Sequence, residues 1–107
     1  MAKAPKFTLS FAPEAVGHLK AIERKHHGLI RDTIERQLCR TPHVETRNRK
    51  PLEPPTPWGA VWELRFGPAN RFRVSYEFDP ASHTVGILAV GVKEGSRLSV
   101  GGEEIDL

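Results

Sequence analysis

A chain of 107 residues and 12.0 kDa, 38% apolar and 27% charged, has room for one domain spanning residues 1–107 and little else. No run approaches the roughly 18–20 apolar residues of a membrane span, no apolar stretch of signal-peptide length follows the opening Met1 to Lys6, and the lone Cys39 supplies neither an intrachain disulfide nor a zinc framework. Secreted knottin, zinc finger, integral membrane protein and two-domain enzyme are set aside. A small cytoplasmic domain with no metal, no cofactor and no membrane contact is expected.

Phe7-Thr8-Leu9-Ser10-Phe11 alternates apolar and polar residues, the period of a half-buried strand. Pro13 suits the first turn of a helix and Glu14 complements its positive end. Val16, Leu19 and Ile22 share one helical arc with Ala12 and Ala15, and the helix is predicted to end at His26-His27-Gly28, with glycine as its left-handed stop. Ile30, Ile34 and Leu38 mark a second helix, which stops before Thr41-Pro42. Two short antiparallel helices result.

From His43 to Gly59 the chain has four prolines and no usable period, so a long loop is predicted. It contains Arg47-Asn48-Arg49-Lys50, then the stiff Pro54-Pro55-Thr56-Pro57. Three strands follow over Val61 to Phe66, Arg71 to Phe78 and Thr84 to Val92, separated by Gly67-Pro68-Ala69-Asn70 and Asp79-Pro80-Ala81-Ser82-His83. Leu98-Ser99-Val100 and Ile105-Asp106-Leu107 are candidates for a terminal hairpin or docked tail around Gly101-Gly102. The fold class is α+β: an N-terminal strand, a two-helix hairpin, then an antiparallel three-stranded meander forming one sheet with the helices on one face.

Charge is uneven. Lys20 to Lys50 holds nine Lys or Arg against four Asp or Glu, so that stretch carries +5 and the remainder −2. A basic middle is either a solvated helix face with a charged loop or a surface for a polyanion.

Strand alternation makes a sharper statement. Trp62, Leu64 and Phe66 share one side of their strand, and Phe72, Val74, Tyr76 and Phe78 one side of the next. Both sets belong to the core, which favours Leu64 opposite Val74, Glu63 opposite Ser75 and Arg65 opposite Arg73. The same parity assigns Leu88, Val90 and Val92 to the core and Lys93 to the side of Arg65 and Arg73. Val85, Ile87 and Ala89 fall on that open side too. Like charges directly opposed destabilise a sheet by up to about 1 kcal/mol. Two readings remain: a mixed-charge wet surface neutralised by Glu63 and Glu77, or an anion seat of two guanidinium forks and one ammonium.

Other groups carry less. His26 and His27 diverge by about 100° on a helix and cannot share a metal; they read as a helix C-terminal pair. His43 and His83 fall in loops, Cys39 lies off its helix's apolar stripe, and Trp58 and Trp62 are spaced for packing.

The order of strand, helical hairpin, Lys50-Pro51-Leu52, Trp62-Glu63-Leu64-Arg65, Phe72-Arg73-Val74-Ser75-Tyr76 and Val90-Gly91-Val92-Lys93-Glu94 resembles the RelE/ParE toxin superfamily over about Phe7 to Gly102. The resemblance implies a toxin of a bacterial type II toxin–antitoxin system, bound by an acidic cognate antitoxin and meeting DNA only through it. RelE-like members cut messenger RNA on the ribosome by attack of a ribose 2′-hydroxyl, leaving a 2′,3′-cyclic phosphate. ParE-like members bind DNA gyrase instead. By motif position the resemblance makes Arg65, Arg73 and Lys93 the phosphate-holding residues, with Glu63 a candidate base. Arg47, Arg49, Lys50, Arg71 and Arg97 are the expected RNA contacts. Where RNA-cleaving members carry a Tyr or His after the last strand, this chain has Arg97, Leu98 and Ser99.

Overall fold

The computed structural model describes residues 6–52 and 61–105. The Pro54–Pro57 run, Trp58, Asp106 and Leu107 lie outside the described residues. Strand β1 (Thr8–Phe11) runs parallel to the first half of β5 (Thr84–Glu94), with Thr8 opposite Thr84 and Phe11 opposite Ile87. Helix α1 (Pro13–Lys20) follows, with Pro13 in its first turn. It stops earlier than its apolar spacing predicts. The Ala21 and Ile22 N–H groups close back on the His18 and Leu19 carbonyls, which ends the helix before a 3₁₀ turn at Arg24–His26. Helix α2 (His27–Leu38) starts at once, so Gly28 lies in its first turn without positive φ. His27 Nε2 donates to the Ile22 carbonyl at 2.8 Å, tying the junction together. The adjacent histidines thus open α2 instead of closing α1. Val16, expected inside, is 42% exposed.

The predicted loop after α2 contains a short strand, β2 (Arg49–Pro51), which pairs antiparallel with β3 (Trp62–Phe66). Strand β4 (Phe72–Asp79) lies between β3 and β5. The sheet continues through β6 (Arg97–Val100) and β7 (Glu103–Ile105), giving the order β2-β3-β4-β5-β6-β7 with β1 beside β5. β6 and β7 form the expected hairpin, joined by Gly101-Gly102. Both glycines have positive φ (65° and 83°), as a two-residue hairpin turn requires.

Leu64 faces Val74, Glu63 faces Ser75 and Arg65 faces Arg73, the register required by alternation. The core takes Leu64, Phe66, Phe72, Val74 and Tyr76 from the sheet, and Ala15, Leu19, Ile30, Ile34 and Leu38 from the helices. All of the helix residues therefore cover one sheet face.

β5 departs from the sequence expectation. Ser75 pairs with Ala89 but Tyr76 with Ile87, leaving Leu88 as an extra residue in a bulge. A bulge reverses the parity of everything before it. Val85 and Ile87, expected on the open face, are therefore fully buried in the core, and Leu88, expected inside, is only half-buried. Past the bulge Val90 and Val92 point inward as expected, and Ala89 and Lys93 outward.

His18 on α1 contacts β5: its Nδ1 accepts the Val90 N–H at 3.3 Å. Burial lowers its pKa, with Glu14 opposing. The folded state therefore binds a proton less readily than the unfolded chain, and stability falls as pH drops below about 6.5. Between pH 7.5 and 5.5 the wild-type melting temperature should fall more than that of His18→Gln. Equal losses in the two proteins would show that His18 does not couple folding to protons.

Candidate functional site

The face away from the helices carries a row of cations set by strand register. Arg65 and Arg73 stand directly opposed across β3 and β4. Glu63, two residues before Arg65, has a side chain only 12% exposed, and its Oε1 accepts from both: Arg65 Nε at 2.7 Å and Arg73 Nη1 at 3.4 Å. One carboxylate thus offsets the repulsion between two guanidinium groups and fixes one edge of each. Burial lowers the Arg73 pKa from its ordinary value; Glu63 opposes that shift and Arg65 adds to it. An arginine still keeps its charge under these conditions.

The β3–β4 turn completes the seat. Arg73 Nε donates to the Asn70 carbonyl at 2.8 Å. Asn70 and Ala69 both have positive φ, 52° and 55°, a conformation that costs a non-glycine residue on the order of 1 kcal/mol. At Gly67, φ 81°, an added Cβ would lie 2.7 Å from the Phe72 ring. The strained turn presents the carbonyl that holds Arg73. The turn composition of Gly67 to Asn70 is visible in sequence, but its acceptor role is not.

Lys93 emerges on the same face, with its N–H bound to the Arg71 carbonyl at 2.7 Å. Arg73, Lys93, Arg71 and Glu94 line one open cavity of about 550 Å³. Arg65 and Glu63 adjoin it through Arg73. Lys50 joins from the other side: it is exposed on β2 and stands opposite Glu63, so a strand presents it and not a loop. Arg47 is exposed in the Thr46–Arg49 turn, which Asn48 ties to the Arg65 backbone. Glu77 lies further along β4 against Gly86.

Two expected RNA contacts need correction or relocation. Arg49 is 6% exposed and pairs with the core residue Leu64, so it faces inward. Its Nη1 donates to the carbonyls of Gln37 and Thr41, which makes it a clasp on the end of α2 and not a nucleic-acid contact. Arg97 is exposed but lines a second cavity, on the helix side of the sheet. Arg71 stands at the rim between the two, paired with Glu94 at 3.3 Å and 5.5 Å from the centre of the Phe72 ring.

Tyr76, His43 and His83 are engaged away from the cations. Burial raises the Tyr76 pKa, with Arg49 opposing, and its hydroxyl donates to the Pro42 carbonyl at 2.8 Å. His43 and His83 pack against Phe7, and His43 also against Phe78. Leu98 is buried with Ala89, Val100 and Ile105, so these residues, and not Val85 and Ile87, form the apolar part of the open face. Among the described residues no group of three or more His, Cys, Asp or Glu is arranged to hold a metal ion, and no helix is long and apolar enough to cross a membrane.

No protein-family model matches the chain, and no curated protein matches it significantly. Among solved structures it is similar to a chain of the toxin–antitoxin complex RelBE2 from Mycobacterium tuberculosis, at 24% identity and a TM-score of 0.64, over 82% of this chain and 99% of that one. The strand, two helices and largely antiparallel sheet described above are thus a RelE-like fold.

Proposed function

We propose that this chain is the toxin of a type II toxin–antitoxin pair and acts in the cytoplasm as a ribosome-dependent endoribonuclease on messenger RNA. The observation that carries the reading is the Arg65–Glu63–Arg73 cluster on the open face, with Lys50 and Lys93 on either side. A phosphodiester seated there meets two guanidinium groups whose orientation is already set. The ribose 2′-hydroxyl gives up its proton as its oxygen attacks phosphorus, the bond to the 5′-oxygen breaks and that oxygen takes up a proton, so the products are a 2′,3′-cyclic phosphate and a 5′-hydroxyl. Arg65, Arg73 and Lys93 stabilise the charge that grows on the non-bridging oxygens, the step at which preorganised donors contribute most. Glu63 Oε1 is shared by both guanidinium groups, so Glu63 acts as a positioning residue. Arg47 and Lys50 add phosphate contacts along the strand.

The partner is an acidic antitoxin, favoured by complementarity with this cationic face and by the likeness to a chain of a toxin–antitoxin complex. Contact with DNA runs through that antitoxin.

One observation favours a second reading, a ParE-like or degenerate toxin that binds protein only: Tyr76, His43 and His83 are engaged away from the cations. Arg65→Ala combined with Arg73→Ala separates the two. Growth inhibition should disappear while the melting curve stays cooperative. Undiminished inhibition by the folded double variant would rule out the nuclease.

A further inference from the structure

On the helix side of the sheet, between the α1–α2 junction and the β5–β6 strands, lies a cavity of about 300 Å³. That is at the lower end of small-molecule sites, roughly 300–1,000 Å³. Its lining is a mosaic. Ile22, Val90 and Val92 supply apolar surface, Arg71 and Arg97 positive charge, and Glu23 and Glu94 negative charge. His26 and Arg71 each carry a buried nitrogen, Nε2 and Nε, without a hydrogen-bond partner. Both residues lie against the Phe72 ring, His26 at 5.2 Å between ring centres. Buried donors or acceptors without partners are costly, but both nitrogens are closed off from the cavity itself, so its occupant is read from the lining side chains.

Arg71 and Glu94 line this cavity and the cationic cavity of the open face alike. Their ion pair is the shared wall at the sheet rim.

We propose that this cavity is a nucleotide subsite, which takes the nucleotide next to the phosphate held at Arg65, Arg73 and Lys93. The chemistry matches in each part. Arg97 receives phosphate oxygens, the Ile22, Val90 and Val92 side chains take the face of a base, and Glu23, Glu94 and Ser99 meet its amino and imino groups. Glu94 already pairs with Arg71 and Glu23 with Lys25, so Arg97 is the lining cation left for a phosphate. Base preference would then arise here and not on the open face, where the donors read only phosphate. The assignment rests on the nuclease reading of the open face.

The test is nuclear magnetic resonance titration of the Arg65→Ala, Arg73→Ala double variant with each of the four nucleoside 5′-monophosphates, ribose 5-phosphate and inorganic phosphate. At least one nucleotide should shift the amides of Ile22, Val92 and Ser99 saturably below about 10 mM, and ribose 5-phosphate and phosphate should bind at least about 10-fold more weakly. Adding Arg97→Ala, at an exposed position, should weaken the nucleotide by about 10-fold, the loss of one charged hydrogen bond. Shifts confined to the open face, no saturation, or phosphate binding as well as nucleotide would each overturn the subsite. Because the titration uses a protein without the two seat arginines, its outcome is independent of the growth assay that tests the nuclease.

Discussion

Glu63→Ala should lower stability by about 2–3 kcal/mol, because it leaves two opposed guanidinium groups without their common carboxylate. For a domain of this size that corresponds to a fall in melting temperature on the order of 10–20 °C. The Glu63 side chain is 12% exposed and that of Arg73 14%, so solvent screens the pair poorly. Two signatures separate this repulsion from simple loss of packing. Added salt should restore part of the loss, since screening weakens Arg65–Arg73 repulsion. Arg65→Ala in the Glu63→Ala background should also recover stability, giving a non-additive double-mutant cycle. If thermal unfolding shows salt-independent and additive losses, the carboxylate is not what holds the cation pair together.

The second large effect lies in adjacent residues with opposite roles. Arg49→Met should cost about 3 kcal/mol in urea unfolding, because the carbonyls of Gln37 and Thr41 lose a charged donor in a buried setting. Lys50→Ala should change stability by less than about 0.5 kcal/mol, as expected for an exposed side chain. In RNA or ribosome binding the order reverses. Lys50→Ala should reduce the slope of log affinity against log salt by about 1, the signature of one lost phosphate contact. Arg49→Met should leave that slope unchanged in the folded fraction. A smaller salt slope for folded Arg49→Met would return Arg49 to the RNA surface.

These two residues show where local reading stops. Lys50 and Arg49 are neighbours in a basic run, and composition gives both the same meaning. A three-residue strand has too few positions to display a period, so the pairing of Arg49 with Leu64 leaves no trace in the residues around it. Only the docking of β2 on β3 assigns one cation to the core and the other to the surface. The first helix illustrates the same limit. Leu19 and Ile22 keep helical spacing, but the chain leaves the α-helix at Lys20 to reach the 3₁₀ turn.

What the amino-acid order alone determined is the phase of β3 and β4. Each alternates without interruption, and burying Trp62, Leu64, Phe72 and Val74 together leaves one register, which opposes Arg65 to Arg73. The side of Lys93 was legible for the same reason, because it lies beyond the bulge. What tertiary structure decided is the bulge itself: Leu88 has no local mark, since an extra residue is defined only against a partner strand, and it turns Val85 and Ile87 inward. The sharing of one Glu63 oxygen by two arginines, and the meeting of two cavities at Arg71 and Glu94, likewise arise between strands distant in sequence. Alternation is a property of one segment, whereas pairing offsets and shared walls belong to several at once.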